Sequence, residues 1–350
     1  MTIAIVVGGQ LGSEGKGKVT AHLCRFHDYS VAVRCGGPNS GHTIYINKKP
    51  IVLRQIPAGI VNPESTLYLA AGCLIDVDVL LEEINKFNLL PERIGIDRNA
   101  AIIDNNYDKE EVRMNLHGRI GSTCTGTGIA VARRALRRED FKLAKDIPEL
   151  KPYIVSVSEK VMEHYNDGKK IVIEGTQGFG LSVYHSPYYP YATSRDTTAA
   201  GFLSEVGISP LIVSDINMVI RTFPIRVGGN SGPLPYEINW ETVQFESKYP
   251  YRIQEFTSVT KRLRRVARFN IEIVEKAVSL NKPTEISLMG VDYLDYRNKS
   301  VENFEDLTLK TKSFIYFLEE KLKTKINFIG VGPTDEEIID SKLIEVIKYK

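Results

Sequence analysis

The sequence predicts an α/β fold with a mostly parallel central β-sheet flanked by helices, and we expect residues 1–350 to form a single domain. Two observations predict this fold. Short apolar runs rich in β-branched residues recur along the chain, and the intervals between them are long enough for helical crossovers. The predicted strands cover residues 2–7, 30–34, 66–70, 171–174, 217–222, 285–289 and 325–329.

The first predicted strand, TIAIVV, ends at Gly8 and Gly9, which is typical of a buried strand followed by a glycine turn. Residues 15–27 show a helical pattern, so residues 12–18 occupy a strand-to-helix junction. Such junctions bind anions. Apolar residues at helical spacing predict two further helices, at Val77, Leu80, Leu81, Ile84 and Phe87, and at Phe314, Phe317, Leu318 and Leu322.

The composition excludes several classes of protein. With 45 basic and 43 acidic side chains the net charge is +2, so no overall field attracts nucleic acid or an anionic membrane. No apolar run approaches the roughly 18 residues of a membrane-spanning helix. We therefore expect neither nucleic acid nor membrane as a partner. A cytoplasmic location is favoured because there is no signal-peptide pattern and the cysteines lack metal-ligand spacing, standing at Cys24, Cys35, Cys73 and Cys124.

The glycine-rich segment at residues 12–18, GSEGKGK, nearly meets the phosphate-loop pattern, but Val19 stands where Ser or Thr belongs. Glycines allow backbone N–H groups to approach phosphate oxygens closely, and Lys16 and Lys18 can neutralise phosphate charge. The alternative is a tight turn that requires glycine for its backbone angles and has lysines without a function.

Further motifs make the sequence resemble the adenylosuccinate synthetase family. Together with GSEGKGK they follow one another in the family's order over almost the whole chain, and the length is nearest to the shorter, archaeal-type members. The resemblance implies a phosphate-loop-like adenylosuccinate synthetase fold. The motifs are GGPNSGHT (36–43), IGSTCTGTG (120–128), VARR (131–134), EGTQG (174–178), YPYATS (189–194), RVGG (226–229), VTKRLRR (259–265), GVDYLD (290–295) and GVGP (330–333).

By this resemblance the reaction transfers a γ-phosphoryl group to a purine 6-oxygen, and L-aspartate then attacks the purine carbon. The implied catalytic residues are Ser13, His42 and Gln177, with Mg²⁺ held by Ser13 and the Gly41 carbonyl. His42 would donate to the phosphoryl group in transfer, where charge develops. The implied triphosphate-binding residues are Gly12, Glu14, Gly15, Lys16, Gly17, Lys18, Gly41, Thr43, Asp292 and Gly332.

The resemblance also implies sites for the other two substrates. Arg133 matches an arginine that reaches the monophosphate of the neighbouring subunit, which implies a homodimer. In the basic segment, Lys261 and Leu263 depart from the family pattern. The residues implied for aspartate are Thr260, Arg262 and Arg264, and arginine suits carboxylates because it binds them in bidentate fashion. Those implied for the nucleotide monophosphate are Ser13, Asn39, Thr123, Arg133, Gln177, Thr193, Val227 and Arg262.

Ser13 departs from the family at its central position, because the family has an aspartate there that acts as the general base. A serine hydroxyl is a poor base, and losing a positioned base typically costs a factor of about 10² to 10⁴. A bacteriophage branch of the family, the PurZ enzymes, has a small residue here and uses dGMP in place of IMP. Because the missing carboxylate leaves space for the guanine 2-amino group, we expect dGMP as the substrate and, for a phage protein, the host cytoplasm as its location.

Several alternatives stay open. The chain could be an ordinary GTP-dependent synthetase acting on IMP, or a catalytically silent nucleotide-binding paralogue, and the glycine loop alone would also suit a GTPase-like switch. Glu14, a metal-bound water, Gln177 or the substrate aspartate could replace the missing base. Gly290 stands where the family has a lysine two residues before Asp292, which favours ATP over GTP as the phosphoryl donor.

Overall fold

A ten-stranded β-sheet forms the centre of the molecule in the computed structural model, which describes residues 2–258 and 261–343. Every neighbouring pair of strands in it is parallel except the last pair at one edge. The strand order is β17-β16-β15-β11-β1-β10-β2-β5-β7-β9. The predicted α/β fold with a mostly parallel sheet flanked by helices is therefore confirmed.

All seven predicted strands and the three predicted helices are present, and no strand end differs from its predicted position by more than two residues. The strands are β1 Thr2–Gly8, β2 Tyr29–Arg34, β3 His42–Ile46, β4 Lys49–Leu53, β5 Thr66–Leu69, β6 Leu74–Ile75, β7 Ile94–Asp97, β8 Ala101–Ile102, β9 Ile154–Val155, β10 Lys170–Glu174, β11 Asp215–Arg221, β12 Ile225–Arg226, β13 Glu237–Ile238, β14 Arg265–Ala267, β15 Glu285–Met289, β16 Ile326–Gly330 and β17 Ile338–Asp340. The helices are α1 Lys16–Phe26, α2 Val77–Lys86, α3 Tyr107–Arg113, α4 Leu116–Ile120, α5 Thr127–Ala135, α6 Val157–Asn166, α7 Ala199–Val206, α8 Trp240–Ser247, α9 Ile271–Asn281 and α10 Leu309–Leu322.

The central strands are buried on both faces. Along β1, Ile3 and Ile5 point to one face, Val6 points to the other, and all three are fully buried. A continuous apolar run of this kind is what a parallel strand requires when helices cover both sides of the sheet. Helix α1 packs against β1, β2 and β10, and α9 packs against β11.

The direction of winding reverses at β1. After β1 the chain moves outward through β2, β5, β7 and β9, then returns to insert β10 beside β1 and continues on the other side through β11, β15 and β16. In open α/β sheets ligands bind outside the carboxyl ends of the strands at such a reversal. The residues at these ends are Gly8, Arg34, Glu174, Arg221 and Met289.

In the described residues three small sheets lie outside the central sheet, and two of them contain motif residues. The hairpin β3–β4 begins at His42, and a three-stranded sheet of β12, β14 and β13 includes Arg265, at the end of the basic segment. Both bring motif residues towards the carboxyl edge of the central sheet. Within the described residues, no helix is long and apolar enough to cross a membrane.

Candidate active site

An open cleft with a volume of about 530 Å³ lies at the carboxyl edge of the sheet, beside β1. It contains most of the residues predicted to bind the triphosphate. The predicted residues that line it are Ser13, Glu14, Gly15, Lys16, Gly17, Lys18, Gly41, His42, Thr43, Arg264, Asp292 and Gly332. The other predicted residues in the described part of the chain are not among its lining residues, namely Gly12, Asn39, Thr123, Arg133, Gln177, Thr193, Val227 and Arg262. Thr260 lies outside the described residues.

The glycine-rich loop is held in shape by its own acidic residue. One carboxylate oxygen of Glu14 accepts from the backbone N–H of Gln10 at 3.2 Å and of Gly12 at 2.7 Å, and the other accepts from Lys16 Nζ at 2.6 Å. Lys16 also donates to the carbonyl of Gln177. Because both oxygens of Glu14 are engaged in the loop, this carboxylate positions Lys16 and is poorly placed to act as the missing base.

Helix α1 starts directly after this loop, at Lys16, with Gly15 as its N-cap at a φ of 111°. A side chain is strained at this backbone angle, so glycine is required there. Among the described residues no side chain caps this end of the helix. Uncapped N–H groups and the helix dipole favour an anion at this position, beside Lys16.

Lys18 connects the first turn of α1 to the segment after β16. Its ammonium donates to the carbonyls of Gly332 at 2.7 Å and Glu337 at 2.9 Å. Burial lowers its pKa to about 8, while the nearby Asp292 opposes that shift. Lys18 therefore lines the cleft but also fixes the loop at its rim.

His42 belongs to a buried charged cluster at the ends of β2 and β10. Its Nδ1 contacts Glu174 Oε1, and the same oxygen accepts from Arg34 Nη1 at 2.9 Å. The second oxygen of Glu174 accepts from the N–H of Ala58 at 2.7 Å. Burial, and then the charge of Arg34, lowers the pKa of His42 to about 4. The ring is therefore neutral at pH 7, with Nδ1 lying between Glu174 Oε1 and Arg34 Nη1 and with Nε2 outside these contacts.

A second charged cluster lies across the cleft. Glu255 accepts from Arg221 at 2.5 Å and from Arg264 at 3.0 Å, and Arg221 also donates to the carbonyl of Ser13 at 3.3 Å. Although burial raises the pKa of Glu255, Arg221 and Arg264 together lower it to about 2. An ionised carboxylate therefore already contacts Arg264, the residue predicted to bind aspartate.

Four charged residues of the site were not predicted from the sequence, namely Arg34, Glu174, Arg221 and Glu255. A signal existed for the first three, because each is the last residue of a parallel strand and these ends share one edge of the sheet. For Glu255, in an irregular segment, the sequence offers no comparable signal.

Asp292, predicted to contact the triphosphate donor, is buried at the wall of the cleft and accepts from the Tyr249 hydroxyl at 2.7 Å. Burial raises the pKa of Asp292, and burial followed by the charge of Asp292 raises that of Tyr249. Gly290 adopts a φ of 76° and therefore sits in the left-handed region, which glycine occupies without strain.

Gln177 lies close to the glycine loop, because its carbonyl accepts from Lys16 and its Cα is 3.9 Å from the position of a Cβ built on Gly12. Thr193 donates its backbone N–H to Leu181 at 2.7 Å. The Val227 carbonyl accepts from a serine hydroxyl in the loop that follows. These three residues lie in separate loops that follow β10 and β12.

The remaining predicted residues bond mainly to local partners. Arg133, on α5, donates to Glu110 at 2.5 Å and stacks over a tyrosine ring at 4.9 Å. Arg262 approaches the ring of His117 at 3.0 Å, and Thr123 lies 3.3 Å from the Thr125 hydroxyl. Asn39 is half-buried in the loop before β3.

The sequence model of the family described as adenylosuccinate synthetase matches residues 5–147 and 141–300. The chain belongs to the adenylosuccinate synthetase family. It is 41% identical to the adenylosuccinate synthetase of Thermococcus sibiricus over 342 residues, which cover 96% of this chain and 97% of that protein. It is 40% identical to the Methanococcus aeolicus protein of the same name, over 97% of this chain and 99% of that one.

Two solved structures share the fold. Fully ligated adenylosuccinate synthetase from Plasmodium falciparum superposes with a TM-score of 0.86 at 23% identity, covering 97% of this chain and 100% of that one. Cyanophage S-2L succinoaminodeoxyadenylate synthetase (PurZ), bound to dGMP and dATP as an energy donor, superposes with a TM-score of 0.81 at 26% identity, covering 100% and 99%. The adenylosuccinate synthetase fold and the ligase class are thus established for this chain.

Members of this family depend on Mg²⁺. Whether the ion fits this cleft depends on which oxygen atoms are available to bind it. Mg²⁺ prefers hard oxygen ligands and usually takes few from the protein and the rest from water and phosphate. The Ser13 side chain is exposed at the cleft wall, and the Gly41 carbonyl accepts a long hydrogen bond of 3.4 Å from the Ser258 hydroxyl. A small set of neutral oxygens of this kind suits Mg²⁺ held largely by substrate phosphates.

Proposed function

We propose that this member of the adenylosuccinate synthetase family joins L-aspartate to dGMP at the expense of ATP. The product would be 2-amino-N6-succinyl-2′-deoxyadenylate, a precursor of 2-aminoadenine in DNA. The observation that supports this choice is Ser13, whose small side chain is exposed at the cleft wall where the family has an aspartate. A purine bound against this wall gains space beside its second carbon, where guanine has an amino group and hypoxanthine has hydrogen.

The similarity to the S-2L enzyme supports the same substrate, because that protein was solved with dGMP bound and with dATP as its energy donor. Gly290 supports ATP as the donor here, since the lysine that the family has at this position is missing. Asp292, already bonded to Tyr249, is less available for a guanine base than an unpaired carboxylate would be.

In the proposed reaction Lys16, Lys18 and the start of α1 hold the triphosphate, with Mg²⁺ at Ser13 and Gly41. Bound there, the ion neutralises charge on the phosphoryl group in transfer. His42 donates from Nε2 to this group, because a phosphate beside the ring favours the protonated imidazole that the free protein disfavours. The γ-phosphoryl group passes from ATP to the purine 6-oxygen, which releases ADP and the N1 proton. The aspartate amine then attacks the 6-carbon and loses a proton as inorganic phosphate leaves.

Binding of aspartate is proposed at Arg264, with Arg262 and Thr260 of the same segment. In the free protein Arg264 contacts Glu255, so an aspartate carboxylate must displace or share this internal partner. The proposal also includes a homodimer in which Arg133 reaches the monophosphate of the neighbouring subunit. The remaining monophosphate contacts are proposed at Asn39, Thr123, Gln177, Thr193 and Val227.

A second candidate substrate is IMP. It is favoured by the archaeal relatives, which are about 40% identical over almost their whole length and bear the name adenylosuccinate synthetase. The two candidates differ in whether the purine has a 2-amino group, so a direct comparison of dGMP with IMP decides between them.

Replacing Ser13 with aspartate tests the proposal. Ser13 has a φ of 57°, a conformation that Asp and Asn adopt more readily than most residues. The backbone therefore tolerates the aspartate variant and also an asparagine variant as its control. We expect Ser13→Asp to raise the ratio of kcat/KM for IMP over dGMP by about 10² or more, because it restores a base and fills the space. Chromatography of the succinylated product at varied nucleotide concentration measures both values.

Ser13→Asn is the matched control, since it adds the same bulk without a basic carboxylate. It should lose dGMP turnover without gaining IMP turnover. Should the unchanged protein use IMP far faster than dGMP, or Ser13→Asp increase dGMP turnover, the dGMP proposal is wrong while the family assignment is unaffected.

The aspartate site is tested by replacing Arg264 with lysine. Lysine cannot form the bidentate contact, so we expect KM for aspartate to rise by about ten-fold, equivalent to about 1.4 kcal/mol, with KM for the nucleotides unchanged. Arg265→Lys is the control. Arg265 Nη2 lies 2.5 Å from Glu237 Oε2, and Arg265 is not among the residues that line the cleft. An increase confined to the nucleotide KM would argue against Arg264 as an aspartate ligand.

A further inference from the structure

Three potential metal ligands meet at the end of α1 that is remote from the glycine loop. His22 Nε2 lies 2.8 Å from Asp340 Oδ2, and His27 Nε2 contacts the same oxygen. All three ligand atoms lie within 4.8 Å of one another. His22 and Asp340 are buried, and the side chain of His27 is 15% exposed. The cluster is thus largely shielded from water but reachable from one side.

The hydrogen bonds restrict where protons can sit in this cluster. His22 Nδ1 lies 2.8 Å from the carbonyl oxygen of Asp335, which can only accept, so the Nδ1 proton is present. His22 Nε2 then faces the Asp340 carboxylate, which is also an acceptor. Either His22 is a buried imidazolium, or Nε2 is unprotonated and a cation joins it to the carboxylate.

The surroundings match the outer shell of a metal site. A metal-bound histidine usually donates its other ring N–H to a carbonyl or carboxylate, as His22 does towards Asp335. Asp340 Oδ1 accepts from the backbone N–H groups of Lys342 at 2.9 Å and Leu343 at 3.2 Å, which leaves Oδ2 directed at the two histidines. The carboxylate of Asp335 is also buried, and its Oδ2 pairs with Arg25 Nη1 at 3.2 Å.

We propose that His22, His27 and Asp340 bind a divalent transition-metal ion, with Zn²⁺ as the ion best suited to two imidazoles and one carboxylate. Zn²⁺ takes such ligands at about 2.0–2.2 Å in tetrahedral geometry, with water able to complete the site. Donor atoms around it are about 3.4 Å apart, so small side-chain shifts admit the ion. Cys24, on the same helix, is not part of the cluster.

An ion bound by this cluster would stabilise the segment between Gly332 and Asp340. Asp340 ends β17, and the chain between Gly332 and Asp340 includes both carbonyls that hold Lys18 in the cleft. An ion that joins α1 to β17 would therefore brace this segment at both ends. It would act by positioning the rim of the cleft and would take no part in the chemistry.

Zinc binding to the untagged, chelator-treated 350-residue chain tests the proposal, with Mg²⁺ in excess to occupy the substrate site. Calorimetry should find one tight Zn²⁺ site per chain, and Co²⁺ should give visible d–d absorption. His27→Gln, chosen because His27 is partly exposed, should weaken Zn²⁺ affinity by at least about ten-fold. Asp340→Asn should also weaken Zn²⁺ affinity. His164→Gln is the control and should leave Zn²⁺ affinity unchanged, because His164 bonds to the Tyr68 hydroxyl and is not part of the cluster.

Zn²⁺ should also raise the melting temperature of the unchanged protein and of His164→Gln, but not of His27→Gln, because only ligands of the folded state stabilise it. Absence of a tight Zn²⁺ site in the unchanged protein would overturn the proposal and leave His22 as a buried imidazolium. Equal Zn²⁺ affinity in the unchanged protein and the folded His27→Gln and Asp340→Asn variants would overturn it as well. Circular dichroism checks that each variant is folded.

Discussion

Replacing Lys16 with methionine should lower kcat/KM for the triphosphate by a factor of about 10² to 10³, as removal of one preorganised donor to a developing charge typically does. Lys16 is 2% exposed and held by Glu14 and the Gln177 carbonyl at the start of α1, so its ammonium is oriented before the nucleotide binds. Steady-state kinetics at varied ATP, with dGMP and aspartate saturating, measure the change.

Loss of stability must be separated from loss of binding in this experiment, because methionine leaves the buried Glu14 carboxylate without its cation. The double variant Lys16→Met with Glu14→Gln removes both charges and should recover stability in urea without recovering activity. Lys48→Ala, in the exposed turn of the β3–β4 hairpin, is the surface control. Activity that returned with stability would show that Lys16 acts through the fold alone.

Replacing Glu174 with glutamine should have the largest effect on stability, about 3–5 kcal/mol, which is the usual cost of breaking a buried ion pair. Glu174 is fully buried, and its oxygens hold Arg34 and His42 and also cap the Ala58 N–H. Without its charge the guanidinium of Arg34, 1% exposed, has no anionic partner in this cluster. Urea unfolding at pH 7 gives the free energy of unfolding.

A double-mutant cycle with Arg34→Met isolates the ion pair, since the paired variant should lose clearly less than the sum of the two single variants. Glu64→Gln, on the surface, should change stability little. Strict additivity in the cycle would mean that Arg34 and Glu174 stabilise the fold independently. His42 also depends on Glu174 for its orientation, so we expect kcat to fall in the folded fraction of Glu174→Gln.

Much of the architecture was predictable from sequence because the signals are local. A parallel strand buried on both faces must be apolar along its length, and β1, β10 and β15 are short runs of this kind bounded by turn residues. The glycine loop was equally visible, since a strand, a turn of fixed backbone geometry and a helix follow one another within twenty residues. Short strands such as β9 and β17 were missed because two or three residues show no periodicity.

The sequence by itself determined the fold class, the phosphate-binding junction and the family motifs, including the serine at position 13. Only the tertiary structure decided which charges meet. Arg34 joins Glu174 across 140 residues, Glu255 joins Arg221 across 34, and His22 joins Asp340 across 318. Each pair includes at least one residue at the end of a strand, namely Arg34, Glu174, Arg221 or Asp340. A charged residue at a strand end has the same local sequence signal whether it finds a partner or faces water. Burial, which makes an unpaired charge costly, exists only once the sheet is assembled.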